Sequence, residues 1–543
     1  MPPHSSKTTL LLLAALRLSQ AHYIWPNKHD ILEDSLTVSG GLGQSGMMAE
    51  IATCGAAPFG GRLVGRQSAA EWLRVAYHDM ATHDVHTGLG GLDGSIGFET
   101  DRPQNIGSAM NTSMVFFATF QGKTSSVSDV MALSVVLAMK QCNGPSIPFR
   151  AGRIDATAAG PDTVPEPQQD LATHTTMFAN QGFNVEEMIG LVACGHTVGG
   201  IHEVDFPDSV PATPFDPNNP EGVVHFDQTF DDFDNHIATE WIDGTTNNLL
   251  AVGHNATTNS DARIFAADNN VTMKAFAKDA TSFQKTCGNL FERMLNTVPK
   301  SVQLTDVIDP LPVKPYQLAL NLADDGSLEL SGYIRIFSTA PEAMNVDPEN
   351  MVVNLSWKDH NGNRNSTYTS TLTAGWSNST SLWGFVHFFP VYTKLDPNFG
   401  LSTIFVDWAF NAQEALTHAD NGGAGFPLND VVFYQDSASC NTLTNTTIVV
   451  NIRNNLGPVS DAFVDYYYNV NQQGTIALKT VTVHTPLTRT GSSASALYDV
   501  YTAVFPRPPR NQQGRTSFDV TANVGGKVYT QVANLAIQNG CGL

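Results

Sequence analysis

The chain has 543 residues, which is too long for one typical domain and long enough for two or three. Hydrophobic residues make up 42% of it, so each domain can bury a full core. Its formal net charge of -22 repels polyanions, which excludes nucleic acid and anionic membrane surfaces as expected partners.

Residues 1–21 have the pattern of a secretory signal peptide. Lys7 precedes a short apolar run, Leu10–Leu16, and small residues follow before His22. The run is too short to span a bilayer, and no later apolar stretch approaches the required length of about 20 residues. Asn-X-Ser/Thr sequons, such as those at Asn111 and Asn445, fit an exported glycoprotein. We therefore expect a secreted, extracellular protein with no membrane span.

Residues 22–300 form the first predicted domain, in which apolar residues recur mostly with a helical period. Between Val298 and Pro315 the composition changes to Pro and Val, which indicates a linker. The periodicity predicts helices at Ala69–Met80, Ser126–Gln141, Val185–Val198, Phe230–Glu240 and Thr272–Leu295.

Beyond the linker, apolar and polar residues alternate with period two, and turn residues separate the runs. This pattern is typical of antiparallel β-sandwiches. We predict one sandwich over 301–435 and, over 436–543, either a second sandwich or a continuation of the first. The expected fold class is a mainly α domain followed by an all-β region. Four tryptophans of this region either fill a sandwich core or form a sugar-binding platform: Trp357, Trp376, Trp383 and Trp408.

The stretch from Glu71 to Asn105 carries polar residues at informative spacings. Arg74 and His78 are four residues apart, so they share one face of the predicted helix. The next residue, Asp79, points away from that face, toward a Gly-rich loop with further oxygen donors. Taken alone, an Arg and a His at this spacing are more often a surface pair.

Two motifs resemble those of one known family. The string R-V-A-Y-H-D at 74–79, followed by G-G-L-D-G-S-I at 90–96, resembles the distal side of the plant, fungal and bacterial haem peroxidases, and most closely of their secreted fungal branch. The apolar segment 188–200, in which His196 precedes a Thr, resembles their proximal motif. The resemblance covers about Cys54–Leu295, roughly half of the chain.

On the proximal side, the resemblance implies a haem b whose iron is bound by His196. In the family, a downstream Asp in a Ser-Asp pair accepts the other ring N–H, and Asp261 matches it. A lone Asp before a helix could otherwise be a cap. Phe215 stands where a Trp would indicate a cytochrome c type radical site, so Phe215 is expected at the cofactor.

On the distal side, the resemblance implies that His78 acts as base and then as acid on hydrogen peroxide. Arg74 would stabilise the charge on the leaving hydroxide, and Asn105 would hold the His78 tautomer. Tyr77 stands where the family usually has Phe or Trp, so its hydroxyl is expected at the cofactor pocket.

Two calcium ions are implied as well. The proposed distal ligands are Asp79, Gly91 through its carbonyl, Asp93 and Ser95, and the proximal ones are Thr197, Asp216, Asn218 and Asp227. The spacing from Asp216 to Asp227 is longer than in the fungal family.

Six cysteines are an even number, consistent with three disulfides in an oxidising compartment. Sequence alone leaves about fifteen pairings. Cys54 with Cys142 would match a bridge of the fungal family, and Cys440 with Cys541 would close the C-terminal part. The remaining two, Cys194 and Cys287, form a third bridge or stay as buried thiols.

The expected activity is one-electron oxidation of small phenolic or aromatic donors with hydrogen peroxide. The positions of the manganese ligands in manganese peroxidases are Gln67, Glu71 and His202 here, which keeps only one carboxylate. Leu191 stands where lignin-type enzymes have a surface Trp. For the β-rich half, we consider cell-wall polysaccharide as a partner. The alternative is a glycan- or cell-wall-binding glycoprotein with a vestigial peroxidase domain.

Overall fold

The computed structural model describes residues 24–61, 64–375, 377, 379–509, 516–533, 537 and 540–541. The predicted signal peptide and Trp376 lie outside these ranges. Twelve α-helices occupy the described part of the N-terminal half: α1 Asp30–Thr37, α2 Met47–Glu50, α3 Ser68–Met80, α4 Ser108–Ala118, α5 Val127–Gln141, α6 Leu171–Asn180, α7 Val185–Gly195, α8 His236–Asp243, α9 Leu249–Val252, α10 Ser260–Phe265, α11 Val271–Lys278 and α12 Ala280–Asn296.

The helices that carry the motifs form where the sequence predicts them. Helix α5 begins after Ser126, whose side chain accepts a hydrogen bond from Asp129 N at 3.0 Å. Helix α7 begins with a capping box between Asn184 and Glu187. It ends before His196, three residues earlier than the predicted Val198, because His196 leaves the helical conformation.

Two predicted helices differ from the observed ones. The helix predicted over Phe230–Glu240 begins only at His236, because Asp234 accepts from His236 N and closes a turn before it. The helix predicted over Thr272–Leu295 is two helices. Asp279 adopts an extended conformation and caps α12 by accepting from Ser282 N at 3.1 Å, which interrupts the helical run.

Three disulfides are formed, and they confirm the expected count. Cys54 pairs with Cys142, which joins the segment before α3 to the end of α5. Cys194 pairs with Cys287, which ties α7 to α12. Cys440 pairs with Cys541 in the β-rich half. The first two therefore restrain the helices around the motifs.

The C-terminal half is all-β, as predicted. Strands β3, β4 and β7 form one sheet, and β5, β6, β8, β9 and β10 form a second. Strands β11, β12, β13, β16 and β17 form a third sheet, and β14, β15, β18 and β19 a fourth; a short pair, β1 with β2, lies in the helical half. The strands are β1 Gly200–His202, β2 Val223–His225, β3 Val313–Leu322, β4 Leu328–Ser338, β5 Val352–Lys358, β6 Arg364–Leu372, β7 Phe385–Leu395, β8 Thr403–Ala409, β9 Thr417–Ala419, β10 Phe426–Pro427, β11 Val432–Tyr434, β12 Cys440–Asn441, β13 Asn445–Arg453, β14 Val459–Asn471, β15 Leu478–Pro486, β16 Thr488–Ser492, β17 Tyr498–Pro506, β18 Ser517–Val524 and β19 Lys527–Ala533.

Each pair of these sheets encloses its own apolar core, so the region holds two sandwiches. Trp357 and Trp408 are buried in the first core, so they fill it and cannot form a sugar platform. Trp383 is half-buried against the helical core. Strand β11, which precedes Asp436, pairs with β13 of the second sandwich. The boundary between the two sandwiches therefore lies a few residues before Asp436.

Helix α1 connects the two halves. Its Leu32 packs into the helical core, whereas its Glu33 is fully buried against cations of the first sandwich. Arg335 Nη2 lies 2.6 Å from Glu33 Oε1, and Lys314 Nζ lies 2.8 Å from Glu33 Oε2. Burial opposes the charged carboxylate, but these two cations hold the pKa of Glu33 at about 2.

No helix in the described ranges is both long and apolar enough to cross a bilayer.

Candidate active site

Helix α3 presents the predicted distal residues. It packs against α4, α5, α7 and α12, so its position in the helical half is defined on several sides. His78 Nδ1 lies 2.8 Å from Asn105 Oδ1. Asn105 Nδ2 in turn donates to Glu99 O at 2.9 Å. Because that partner is a carbonyl, the amide orientation is settled, and Nδ1 of His78 must carry the proton. The lone pair of His78 is therefore on Nε2.

The His78 imidazole is kept neutral by its surroundings. Burial, reinforced by the charge of Arg74, lowers its pKa to about 3, while the Asn105 hydrogen bond opposes the shift. Burial also lowers the pKa of Arg74 to about 10, so its guanidinium stays charged at neutral pH. Arg74 Nη2 donates to Ile106 O at 3.0 Å, and the guanidinium lies 5.3 Å from the ring centre of Phe206. The site thus combines a neutral base with a fixed cation.

Tyr77 lies beside this pair. Its hydroxyl donates to Gln181 Oε1 at 3.3 Å, and its ring stacks on Phe178. Burial raises the pKa of the phenol, so Tyr77 stays neutral. Gln181 Nε2 is buried and has no hydrogen-bond partner among the described residues. Gln181, which no sequence motif indicates, therefore holds a spare donor in the interior.

Three of the four predicted distal calcium ligands lie together, Asp79 at the end of α3 and Asp93 and Ser95 in the loop behind it. Asp79 Oδ2 accepts from Asp93 N and Gly94 N, each at 2.8 Å, and Ser95 Oγ lies 3.5 Å from Asp79 Oδ1. Gly91 has a positive φ of 116° and approaches the backbone of Thr297 too closely for a side chain. Burial raises the pKa of Asp79, and the Asp93 charge adds to the shift. A bound cation would offset both effects.

On the proximal side, His196 lies at the C-terminus of α7. Its Nδ1 lies 2.8 Å from Asp261 Oδ2, as the resemblance implies. Asn248 Nδ2 donates to the same oxygen at 2.7 Å. The Asp261 side chain is 1% exposed, whereas the His196 side chain is 29% exposed. The helices around His196 nevertheless form a packed core. Nδ1 of His196 is thus engaged, and open space borders the ring.

Phe226 stacks on His196, with ring centres 4.3 Å apart and an interplanar angle of 16°. Phe215, which was expected at the cofactor, is 79% exposed and does not line this pocket. The prediction for Phe215 was wrong because the long 203–221 loop carries this residue to the surface. Phe226, which immediately precedes the buried Asp227, stacks on His196 instead.

The structure does not bring the predicted proximal calcium set together. Thr197 and Asp227 are buried, and Thr197 Oγ1 lies 3.4 Å from Asp227 Oδ2. Asp216 and Asn218 lie instead in an exposed turn, where Asp216 Oδ1 accepts from Asn218 N. Asp234 takes their place, since its carbonyl accepts from Thr197 Oγ1 at 2.6 Å.

Burial, with the charges of Asp234 and Glu240, raises the pKa of Asp227 to about 7. This is the same kind of uncompensated carboxylate cluster as in the distal loop. No group of three or more His, Cys, Asp or Glu side chains in the described part of the chain has the arrangement of a metal site. Any cation here would therefore depend largely on backbone and hydroxyl oxygens.

Of the positions that hold manganese in related enzymes, Glu71 lies beside an arginine here. Arg66 Nη1 lies 2.8 Å from Asp205 and 3.5 Å from Glu71, and Arg66 Nε forms an ion pair with Glu221. His202 Nδ1 lies 3.3 Å from Glu221. The guanidinium thus lies among three carboxylates, and a second cation bound between them would lie close to its like charge.

The residues present fit a haem. Two imidazoles on packed elements each use Nδ1 for an orienting hydrogen bond, and the His196 side chain is 29% exposed, so protein atoms do not enclose its ring. The spare donor of Gln181 suits a cofactor with acidic groups, and the charged Arg74 suits an anionic leaving group. A helical domain with this pair of histidines defines a protein of the haem peroxidase class.

Comparison with known proteins indicates the same class of protein. The family model described as Peroxidase matches residues 60–282. The chain is 30% identical over 222 residues to "L-ascorbate peroxidase 5, peroxisomal" of Arabidopsis thaliana, covering 39% of this chain and 74% of that protein. It is 31% identical over 136 residues to "Cytochrome c peroxidase, mitochondrial" of Aspergillus fumigatus, covering 24% of this chain and 37% of that protein. The chain belongs to the plant, fungal and bacterial peroxidase superfamily.

A further relative extends beyond the peroxidase region. The chain is 36% identical over 382 residues to a "WSC domain-containing protein" of Arthroderma benhamiae, which covers 68% of this chain. The chain spans about half, 51%, of the length of that protein. Because the match is longer than residues 60–282, the relative shares part of the sequence outside the peroxidase region.

Proposed function

We propose that the protein is a secreted haem peroxidase that reduces hydrogen peroxide and oxidises small phenolic or aromatic donors in one-electron steps. The observation that carries the proposal is the pair of fixed imidazoles. His78 and His196 each make an Nδ1 hydrogen bond of 2.8 Å to a side chain that is itself buried. A vestigial domain would have little reason to keep both rings oriented in this way.

His78 is suited to move a proton between the two oxygens of the peroxide. Its Nε2 lone pair takes a proton from one oxygen and returns it to the leaving one. A pKa near 3 keeps the ring neutral, which the first transfer requires. Arg74 stabilises the negative charge that develops on the leaving oxygen, since its guanidinium stays charged when buried.

His196 is suited to bind the haem iron through Nε2. A haem in this position would supply the redox equivalents that the side chains lack. Asp261 accepts the ring N–H and so raises the basicity of His196. Asn248 holds the Asp261 carboxylate in place through the same oxygen.

The proposed donors follow from the surface near Arg74. Arg66 lies 3.5 Å from Glu71, the one carboxylate kept at the manganese positions, and Leu191 is 4% exposed where a surface Trp would be needed. Small aromatic donors that reach the haem edge remain. Ile106, 48% exposed, offers an apolar contact beside Arg74.

Three further parts of the proposal rest on local chemistry. The three disulfides support an oxidising, extracellular location. The distal loop around Asp79 supports one calcium ion. A second ion would bind near Thr197 and Asp227, with Asp234 in place of the predicted exposed residues.

A glycan- or cell-wall-binding role stays a second candidate for the β-rich half. The match to the Arthroderma protein beyond the peroxidase region favours a role for this half that peroxidases alone do not need. Trp357 and Trp408 cannot supply the binding surface because they are buried. Pull-down on insoluble fungal cell wall, with the peroxidase assay run on the same fractions, would separate the two roles.

The test of the proposed function uses the full chain reconstituted with haem. We expect a Soret band and a rapid spectral change when hydrogen peroxide is added. His78→Leu should slow that change by about two to four powers of ten, which is the usual contribution of a positioned acid–base. His254→Leu, which alters an exposed His, is the matched control and should change nothing. No Soret band, or an unchanged rate in the His78 variant, would contradict the proposal.

A further inference from the structure

The hairpin between β14 and β15 reaches from the second sandwich to the distal loop of the helical half. Thr475 Oγ1 donates to Gly97 O at 2.6 Å, and Ile476 N donates to the same carbonyl at 3.3 Å. Ile476 also packs against the helical core. A Cβ added to Gly97 would lie 2.9 Å from the Cβ of Ala477, closer than two carbon atoms approach without displacement. The hairpin therefore fits over Gly97 because this residue has no side chain.

Gly97 lies in the middle of the segment that orients the distal residues. Immediately before it, Ile96 N donates to Asp79 Oδ1 at 2.8 Å, and Asp79 is the neighbour of His78 on α3. Two residues after it, Glu99 O accepts from Asn105 Nδ2 at 2.9 Å. The one segment thus holds both the end of α3 and the amide that fixes the His78 tautomer.

Other contacts fix the hairpin against the helical half. Asn469 Nδ2 donates to Gln121 O at 2.9 Å, and Gln121 Nε2 donates back to Leu478 O at 3.4 Å. Lys123 forms an ion pair with Asp519 of β18 and lies 4.6 Å from the ring centre of Tyr467. These contacts lie on both strands of the hairpin and on the neighbouring strand. The hairpin cannot leave Gly97 unless several buried or charged contacts break together.

We propose that the β14–β15 hairpin, residues 471–478, is a positioning element of the peroxidase site, which holds Gly97 so that Asn105 keeps His78 in its working orientation. The inference rests on the proposed function and extends it to the β-rich half. That half would then contribute to the rate of the peroxide reaction through Thr475, Ile476 and Ala477, although none of them touches the substrate.

The test uses Gly97→Ala in the full chain. Gly97 does not have a positive φ, so its backbone tolerates Ala, and the new methyl group acts mainly by displacing Ala477. Ala477→Gly in the same chain removes the clashing atom, so the double variant should recover much of the lost function. Thr475→Val removes only the hydroxyl donor, and Thr475→Ser is its control because it keeps that donor.

The first readout is hydrogen–deuterium exchange of the haem-free protein. We expect faster exchange of the 93–105 peptide in Gly97→Ala and Thr475→Val, and near-normal exchange in Gly97→Ala/Ala477→Gly and Thr475→Ser. Slow exchange in all four proteins would overturn the inference. This readout is independent of haem binding, so it separates the failure of this inference from failure of the proposed peroxidase function.

The second readout compares two rates of the haem-loaded protein. The rate constant for hydrogen peroxide should fall about tenfold in Gly97→Ala, a fraction of what a positioned acid–base contributes, while the rate constant for a phenol changes little. A lower folded fraction would instead reduce both rates equally, and that outcome would overturn the inference. An unchanged peroxide rate with faster loop exchange would overturn it as well. If Gly97→Ala fails to fold, the Thr475 pair decides the question with the same two readouts.

Discussion

Replacing Asn105 by Asp should move the acid limit of the peroxide reaction to higher pH. In the native protein, the neutral Asn105 leaves the pKa of His78 at about 3. A carboxylate at the same 2.8 Å distance from Nδ1 stabilises the imidazolium, and an adjacent opposite charge shifts a pKa by about 1–3 units. Because the reaction needs neutral His78, its rate falls as the pH drops through this pKa. The limit should therefore rise from near pH 3 to between about pH 4 and 6.

Stopped-flow measurement of the Soret change at a series of pH values checks this expectation. At pH 4 most of the native rings are neutral, whereas a variant ring with a pKa near 5 is about nine-tenths protonated, so the variant reacts about tenfold more slowly. Asn289→Asp adds the same charge at an exposed position on α12 and should leave the profile unchanged. A native limit near pH 6.5, or a variant profile that coincides with the native one, would refute the reasoning about burial and Arg74.

Four other outcomes are expected. Asp261→Asn should raise the Fe(III)/Fe(II) potential of the haem-loaded protein, because the ligand imidazole loses its anionic partner; spectroelectrochemistry measures this, and an unchanged or lower potential would argue against the proximal assignment. Cys287→Ser should lower the free energy of unfolding by about 2–5 kcal/mol in a denaturant titration, and a smaller loss would show that the α7–α12 bridge constrains little. Arg335→Met should lower the free energy of unfolding by about 3–5 kcal/mol, because Glu33 stays buried beside one cation fewer. Adding Glu33→Gln should recover part of this loss, and equal stability of the single and double variants would count against a buried ion pair. Because the pKa of His78 is lowered in the fold, the unfolded chain binds a proton below pH 6.5 that the folded chain does not. The contribution of His78 therefore lowers the free energy of unfolding by about 1.4 kcal/mol per pH unit down to about pH 3. His78→Leu should reduce the slope by that amount in acid unfolding of the haem-free protein, and an unchanged slope would assign it to other groups.

The local motifs were predictable because their geometry is set by helix periodicity and by nearby capping. Arg74 and His78 share a face of α3 since they are four residues apart. The partners of the two imidazoles also followed from the resemblance, since each lies in a short motif of its own. The alternation of apolar residues predicted antiparallel β-sheets in the C-terminal half for the same reason, because a strand with one buried face has apolar residues at period two.

Contacts across the long 203–221 loop were not predictable from spacing. The resemblance implied Phe215 at the cofactor and Asp216 at a cation, but the loop carries both to the surface. Asn248 and Gln181 carry no motif, and only the tertiary structure brings them to Asp261 and Tyr77. The contact of the hairpin with Gly97 joins residues nearly 400 positions apart, which no local pattern indicates.

The burial of Glu33 has a consequence for how the chain assembles. Helix α1 precedes the peroxidase region, but the cations that neutralise its carboxylate belong to β3 and β4, which follow that region. Synthesis from the N-terminus would leave α1 without its counter-charges until the first sandwich has emerged. A nick by a protease between Asn296 and Val313 should likewise leave two fragments that elute together, because the N-terminal piece retains a charge that only the C-terminal piece can bury.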